Sequence, residues 1–188
     1  MRIFIAINLP ADVRDRIHDA AAPLREAAPD IAWTPAERLH LTLKFLGERP
    51  EGDVAPLEAM LRSIGGRHAP MPIVIEGGGA FPSLARPRVI WAGIAAEPRL
   101  ELLHHDVESA CAALGYEVDG RAFRPHLTLG RARGGVESPS ARVAISRAAR
   151  GIALREEVDV ESVDLMSSEP GPRGPRYTRI AAGVLRSA

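Results

Sequence analysis

The chain has 188 residues, of which 46% are hydrophobic and 26% charged, and its formal net charge is zero. This composition is typical of a folded globular protein, and the zero net charge excludes a whole-protein field that would attract nucleic acid. Cys111 is the only cysteine, so no internal disulfide can form and a reducing cytoplasm is expected. No stretch approaches the roughly 18 apolar residues of a membrane helix, and no signal peptide is recognisable. We expect no membrane partner.

The first half of the chain predicts strand, helix, strand, helix, strand, strand. Residues 2–9 are β-branched and apolar without polar alternation, which is typical of a strand covered on both faces. After Pro10, apolar residues recur at helical spacing until Pro29, which predicts one helix. We interpret the glycine run 77–79 as a turn between the last two strands. The remaining predicted elements of this half are 38–46, 53–64, 71–77 and 87–94.

The second half repeats the order helix, strand, helix, strand, strand, at residues 98–114, 123–131, 139–150, 158–166 and 176–185. Two such units are too few for a solenoid and indicate an internal duplication, with halves of about 1–95 and 96–188. We expect residues 1–188 to form a single bilobal domain of the α+β class, with strands exchanging between the lobes. Each lobe would be an antiparallel sheet with helices packed on the outside, and the two pseudo-symmetric lobes would flank a central cleft.

Both halves contain the tetrapeptide His-Leu-Thr-Leu, at residues 40–43 and 126–129. Since side chains alternate along a strand, the leucines face the core while the histidine and threonine of each copy share the other face. One such copy needs no special role, but two copies at matching places favour a common site. Two imidazoles across a cleft can donate and accept protons, and hydroxyls can bind phosphoryl oxygens, which suits in-line displacement at phosphorus. Metal ligation is not favoured, because no Asp, Glu or Cys is spaced to complete a site.

The two motifs resemble those of the two-histidine phosphoesterase superfamily. With the stretches "MRIFIAINLP", "LHLTLKFLGE" and "FRPHLTLGRAR", the whole chain is similar to the bacterial and archaeal RNA 2′,3′-cyclic phosphodiesterase family, also called 2′-5′ RNA ligase. The resemblance implies hydrolysis of an RNA-terminal 2′,3′-cyclic phosphate to a 2′-phosphate, with no metal and no other cofactor. It implies His40 as proton donor, His126 as proton acceptor, and Thr42 and Thr128 as phosphate-binding residues. The residues alone do not separate donor from acceptor.

The expected partner is an RNA with a 2′,3′-cyclic phosphate end, including tRNA fragments, and the protein is expected to be a monomer. The resemblance also implies joining of tRNA halves through a 2′-5′ bond, which the residues cannot distinguish from hydrolysis. Two other functions stay open: a non-catalytic protein that binds RNA ends, and a phosphodiesterase for a small cyclic nucleotide. The family often has alanine where this chain has Gly130, a departure that we expect to have little consequence.

Three charged residues near the motifs are further candidates for substrate contact. Arg131 would reach a phosphate only if the strand ends or bulges at Gly130. Arg124 shares strand parity with His126, and Lys44 shares it with the first motif. Each of these two side chains therefore either lines the cleft or is solvated.

A segment rich in proline and glycine, residues 167–180, precedes the last strand and carries Arg173 and Arg176. Basic loops beside a cleft often contact a polyanion, and Tyr177 is a candidate for stacking on a base. Other aromatic residues are expected in the core: Phe45, Trp91 and Phe123.

Overall fold

The computed structural model describes residues 1–172 and 174–186, and these contain both strands and helices. The strands are β1 (Arg2–Asn8), β2 (Ala32–Trp33), β3 (His40–Glu48), β4 (Met71–Ser83), β5 (Arg86–Ile94), β6 (His126–Arg131), β7 (Arg155–Val160), β8 (Ser162–Glu169) and β9 (Arg176–Val184). The helices are α1 (Ala11–Ala20), α2 (Ala22–Ala27), α3 (Val54–Gly65), α4 (Pro98–Ala113) and α5 (Pro139–Arg150). Within the described residues, none of these helices has the length and apolarity needed to cross a membrane.

All the strands belong to one antiparallel sheet with the order β7-β4-β5-β6-β3-β1-β8-β9, and the short β2 pairs with β6. The strands β3 and β6 are joined by one residue pair, Leu41 with Leu127, which we call the junction pair. The sheet therefore divides into a His40 lobe (β9-β8-β1-β3) and a His126 lobe (β7-β4-β5-β6). The predicted α+β class with two antiparallel lobes is confirmed. Each lobe contains two strands from each half of the chain.

One face of the sheet is apolar and packs against the helices. The junction pair is fully buried in the main core cluster, together with apolar residues of three helices: Leu57, Leu61, Leu100, Leu103 and Ile145. Leu57 and Leu61 lie one turn apart on α3, and Leu100 and Leu103 are similarly spaced on α4. This spacing gives each helix one apolar side to bury, as the sequence pattern predicts.

The strand β1 is covered on both faces, as predicted. Its isoleucines Ile3, Ile5 and Ile7 belong to the main core. On the opposite face, Phe4 and Ala6 form a second, smaller buried cluster with Met166 of β8. Tyr177 of β9 packs against this cluster, which we call the cleft-floor cluster. The motif face of the sheet thus carries an apolar cluster beside the motif residues.

Two predicted elements of the first half were wrong in detail. The helix expected between Pro10 and Pro29 is two helices, with Ala21 between α1 and α2. Pro23 lies in the first turn of α2, where its missing N–H and its ring are tolerated, but it cannot continue α1. The run 77–79 is not a turn, because β4 continues through it with a bulge at Gly77, whose φ is 67°.

The strand predicted at 158–166 is in fact two strands. The strand β7 pairs with β4 in the His126 lobe, whereas β8 pairs with β1 in the His40 lobe. The chain passes from one lobe to the other at Glu161, between the two strands. Apolar residues on both sides of the crossing, Val158, Val160, Val163 and Leu165, belong to the same core, although their alternation shifts between Val160 and Val163.

Each motif strand contains a β-bulge at the same place. The register of β3 against β1 shifts at Leu43, and the register of β6 against β5 shifts at Leu129. A bulge inserts one extra residue and so resets the alternation of side chains beyond it. Both leucines stay buried, and the residue after each of them also turns toward the helices.

Lys44 is buried beneath the sheet, so its predicted place in the cleft was wrong. The residue is 6% exposed. Its Nζ donates to both carboxylate oxygens of Glu108, at 2.9 and 2.8 Å, and to the carbonyl of Glu117 at 2.8 Å. The bulge at Leu43 causes this inward turn. The ammonium group, with all three donors satisfied, ties β3 to α4 and to the segment that leads into β6.

Replacing Lys44 by methionine would leave the Glu108 carboxylate buried without its cation. We expect Lys44→Met to lower the free energy of unfolding by about 3–5 kcal/mol, and Lys44→Met with Glu108→Met to recover most of the loss. Urea denaturation measures both. Arg62→Met is the control, because its pair with Glu58 is exposed and should contribute about 0.5 kcal/mol or less. Equal effects of Lys44→Met and Arg62→Met would contradict this account.

Candidate active site

The histidine and threonine of both motifs lie on one face of the joined strands. Because the junction pair is antiparallel, His40 lies across from Thr128, and Thr42 lies across from His126. The two histidines are therefore diagonal neighbours, a relation that separates Cα atoms by roughly 7–8 Å in a regular pair. The structure brings together the four residues that the duplicated motif singled out.

A cavity of about 410 Å³ lies over this face, lined by both threonines and by His40. Apart from Tyr177, its other polar lining residues come from five different elements or loops: Arg2, Thr34, Arg38, Arg131 and Ser168. His126 begins β6 opposite Gly93 of β5 and is not among the lining residues. The cavity is thus centred on His40 and on the threonine of each motif, with three arginines around it.

Both histidines are held by the same backbone contact. The Nδ1 of His40 is 2.8 Å from the carbonyl oxygen of Arg38, and the Nδ1 of His126 is 2.6 Å from that of Arg124. A carbonyl oxygen can only accept, so each Nδ1 carries a proton. Each Nε2 is therefore the nitrogen available for proton exchange.

Aromatic rings enclose the two imidazoles to different extents. The ring of His40 lies 5.0 Å from the ring of Phe4 and 5.2 Å from that of Tyr177, between centroids. The ring of His126 meets Phe81 edge-to-face at 4.9 Å. Phe4 belongs to the cleft-floor cluster, so His40 rests on buried apolar surface.

Burial lowers the pKa of both His40 and His126 below the ordinary value of 6.5. The carbonyls of Arg38 and Arg124 oppose this shift by accepting from Nδ1, and the positive charge of Arg131 adds to it. Each imidazole therefore favours its neutral form at neutral pH in the free protein. An anion bound between them would stabilise the protonated form that a proton donor needs.

The sequence places Arg131 within reach of a phosphate only if β6 ends or bulges near Gly130, and the structure has such a bulge. The bulge at Leu129 returns Arg131 to the face of Thr128, where it lines the cavity. Its positive charge contributes to the lowered pKa of both histidines. A guanidinium in this position is suited to binding an anion.

Phe45 occupies the equivalent place in the other motif, and its prediction as a core residue was wrong. The bulge at Leu43 turns it onto the cleft face, where it is 64% exposed and lines the cavity. Phe123 does pack against the core, stacked on His104 with ring centroids 3.8 Å apart. Trp91 is half-buried beside Phe81.

The other candidates take different places. Tyr177 lines the cavity. Arg124 is exposed and contributes its carbonyl to His126, not its guanidinium to the cavity lining. Arg176 forms an ion pair with Glu169 of the neighbouring strand at 2.7 Å, outside the cavity lining. Strand parity did not reveal these partners. Arg173 lies outside the described residues.

Arg2 and Arg38 were missed as cavity residues although both stand close to predicted features. Arg2 shares a face of β1 with Phe4 and pairs with Ser168 of β8. Arg38 precedes His40 by two residues in a 3-10 turn, Ala36–Arg38. The alternation of side chains along β1 would have placed Arg2 on the cleft face. Arg38 lies in a turn, where alternation does not predict the direction of a side chain. Among the described residues, no three His, Cys, Asp or Glu side chains converge as metal ligands.

The structure explains why position 130 is a glycine. The expectation that glycine in place of alanine has little consequence here was therefore wrong. The Trp33 ring lies over it, and a Cβ at position 130 would come within 2.6 Å of Cε3 of that ring. The Trp33 indole donates to the carbonyl of Ala28 at 2.9 Å, and Trp33 pairs with Gly130 across β2 and β6. Gly130 therefore lets β2 close against the motif strand.

A two-lobed α+β fold that directs two His-x-Thr strands into one cleft defines a phosphoesterase of the two-histidine class. The model of the LigT-like phosphoesterase family matches residues 7–91 and 93–177, and the chain belongs to this family. The two matches divide the chain close to the boundary between its halves.

The relatives are named as RNA 2′,3′-cyclic phosphodiesterases. One from Thermus thermophilus is 34% identical over 193 residues, which cover 99% of this chain and 91% of the relative. One from Geobacillus stearothermophilus is 35% identical over 128 residues, which cover 68% of this chain but only 41% of that longer protein. The crystal structure of E. coli LigT with 3′-AMP has a TM-score of 0.74 at 29% identity, and the match covers 99% of this chain and 98% of that one.

The effect of the Arg131 charge on the pKa values of the two histidines can be measured by titration. We expect Arg131→Gln to raise the pKa of both His40 and His126, because a positive charge that disfavours imidazolium is removed. Both values should stay below 6.5, since burial is the larger cause. NMR titration of the imidazole protons measures them. Arg131→Lys keeps the charge and should change them little; unchanged values in Arg131→Gln would contradict the placement.

Placing alanine at position 130 tests the contact with Trp33. We expect Gly130→Ala to lower the free energy of unfolding by about 1–3 kcal/mol, because the Trp33 ring must move to admit the new methyl group. Urea denaturation measures the loss. Gly120→Ala is the control, since a Cβ there meets no atom within 4 Å. If the two variants lose equal stability, the loss does not come from Trp33.

Proposed function

We propose that this protein is a metal-independent RNA 2′,3′-cyclic phosphodiesterase of the cytoplasm, which converts an RNA-terminal 2′,3′-cyclic phosphate to a 2′-phosphate. The observation that carries the proposal is the diagonal arrangement of His40 and His126 across the junction pair. Each imidazole has its Nδ1 occupied by a backbone carbonyl, which leaves Nε2 for proton transfer. In-line displacement needs one base and one acid on opposite sides of phosphorus, and this arrangement suits that need.

In the proposed reaction, Nε2 of His126 accepts a proton from water as the water oxygen attacks phosphorus. The bond from phosphorus to O3′ breaks on the opposite side, and Nε2 of His40 donates its proton to that oxygen. The product carries the phosphate on O2′. The two histidines end with their protonation states exchanged, and solvent returns them to the starting state. Each transfer contributes typically about 10²–10⁴ in rate.

The phosphate would be bound by Thr42, Thr128 and Arg131. A hydroxyl donates one hydrogen bond to a non-bridging oxygen, and the guanidinium adds its charge. That charge makes the imidazolium form of His40 less stable in the free protein, whereas the bound phosphate anion favours it. Binding of the substrate would therefore help to protonate the residue that acts as the acid.

The relatives support the substrate class. The T. thermophilus relative is named as an RNA 2′,3′-cyclic phosphodiesterase, and the E. coli LigT structure contains 3′-AMP, a nucleotide with a phosphate on its ribose. A 5′-hydroxyl of a second RNA in place of water would yield a 2′-5′ bond through the same two proton transfers. Ligation therefore needs no residue beyond those of hydrolysis, and a tRNA fragment is one RNA that would fit.

The proposal is tested by incubating the protein with a short RNA that ends in a 2′,3′-cyclic phosphate, in excess EDTA. We expect chromatography to show the 2′-phosphate. His40→Ala and His126→Ala should each reduce kcat by about 10²–10⁴, because each removes one proton transfer.

The control is His105→Ala, since His105 is exposed on α4 and lies outside the cavity lining. This variant should retain full activity. A 3′-phosphate product would contradict the assignment of donor and acceptor. Full activity of His40→Ala or His126→Ala would contradict the mechanism, and activity that disappears with EDTA would contradict metal independence.

A further inference from the structure

A second cavity, of about 290 Å³, lies beside the first. The two cavities share three lining residues, His40, Arg38 and Tyr177, so they meet at the imidazole of His40. The floor of the second cavity includes Met166 of the cleft-floor cluster and Asn8 at the end of β1. Nothing in the proposed proton transfers uses this space.

The second cavity is basic. Its lining contains Arg14, Arg38 and Arg179 and one carboxylate, that of Glu37. Asp164 lies behind Arg179, at 3.9 Å, but it also accepts from Asn8 at 2.6 Å. The side chain of Arg179 is 61% exposed, so this contact leaves much of the guanidinium open to solvent. The three arginines together with Glu37 and Asp164 therefore carry a net positive charge.

Arg14 adds a second indication. Its Nη1 donates to the carbonyl of Glu37 at 2.9 Å, which fixes the guanidinium against the turn before His40. Its Nε is buried and has no acceptor among the described residues. That nitrogen is out of reach of a ligand, but the contact with Glu37 holds the guanidinium at the cavity wall, where a fixed cation is suited to an anionic ligand.

The geometry of displacement indicates what would lie in this cavity. If His40 protonates O3′, the ribose of the terminal nucleotide lies on the His40 side of phosphorus, because O3′ belongs to that ribose. Water then attacks from the His126 side. The RNA continues from the same ribose through its 5′ oxygen, so the next phosphodiester also leaves on the His40 side. The second cavity lies on that side of the site.

We propose that the second cavity binds the phosphodiester immediately upstream of the terminal nucleotide, with Arg14 and Arg179 as its ligands. The protein then favours the end of an RNA chain over a cyclic mononucleotide. This inference rests on the proposed function, since it takes the direction of the chain from the role of His40.

The test compares binding of two probes to the His126→Ala variant, which keeps both cavities but lacks the proposed base. The probes are adenosine 2′,3′-cyclic phosphate and the dinucleotide ApA with a 2′,3′-cyclic end. We expect the dinucleotide to bind about tenfold more tightly, a factor appropriate to charge-assisted hydrogen bonds to one phosphate. Arg179→Gln or Arg14→Gln in this background should bring the two Kd values close together. The salt dependence of dinucleotide binding should weaken by roughly 0.7 in log–log slope.

Arg176→Gln is the matched control, because Arg176 lies on the same strand as Arg179 but pairs with Glu169 outside both cavities. It should leave the dinucleotide preference unchanged. Equal Kd values for the two probes in His126→Ala, or an equal loss of preference in Arg176→Gln and Arg179→Gln, would overturn the inference. Because these are binding measurements, they are independent of turnover by the unmodified protein, which decides the proposed function separately.

Discussion

The geometry of the site depends on one antiparallel contact, the junction pair of Leu41 and Leu127. Both leucines are fully buried, so the helices behind the sheet hold the two motif strands in a single register. Register decides which side chains share a face. A slip of one residue would turn the histidine and the threonine of one motif into the core. One backbone pair, held by buried leucines, thus fixes the separation of the two imidazoles.

The two motif strands share a bulge at the second leucine, but their side chains differ beyond it. Both strands bulge at the second leucine, and in both the next residue turns inward. In the His40 lobe that residue is Lys44, which forms a buried ion pair, and in the His126 lobe it is Gly130, which admits Trp33. The following residue faces the cleft as Phe45 or Arg131. The same bulge therefore yields a site with a cation on one side and an aromatic ring on the other.

The repeated order of elements was sufficient to predict the two lobes. The repeated tetrapeptide was sufficient to predict that its histidines and threonines share one face, because strand alternation is a local rule. The bulges could not be predicted, since "LTLKFL" and "LTLGR" are both compatible with a regular strand. The burial of Lys44 depends on Glu108, which is distant in sequence, and no local pattern reveals such a partner. The arginines of the second cavity were missed for the same reason, because they come from a helix, a turn and the last strand.

The exchange of strands between lobes bears on how such a chain can arise. Neither half of the sequence contains a complete lobe, since β4 and β5 of the first half complete the sheet of β6, while β8 and β9 of the second half complete that of β3. A half-length chain would have to obtain its missing strands from another copy of itself. Because both motifs belong to one chain, each bulge is followed by its own side chains, and the two histidines lie in different surroundings.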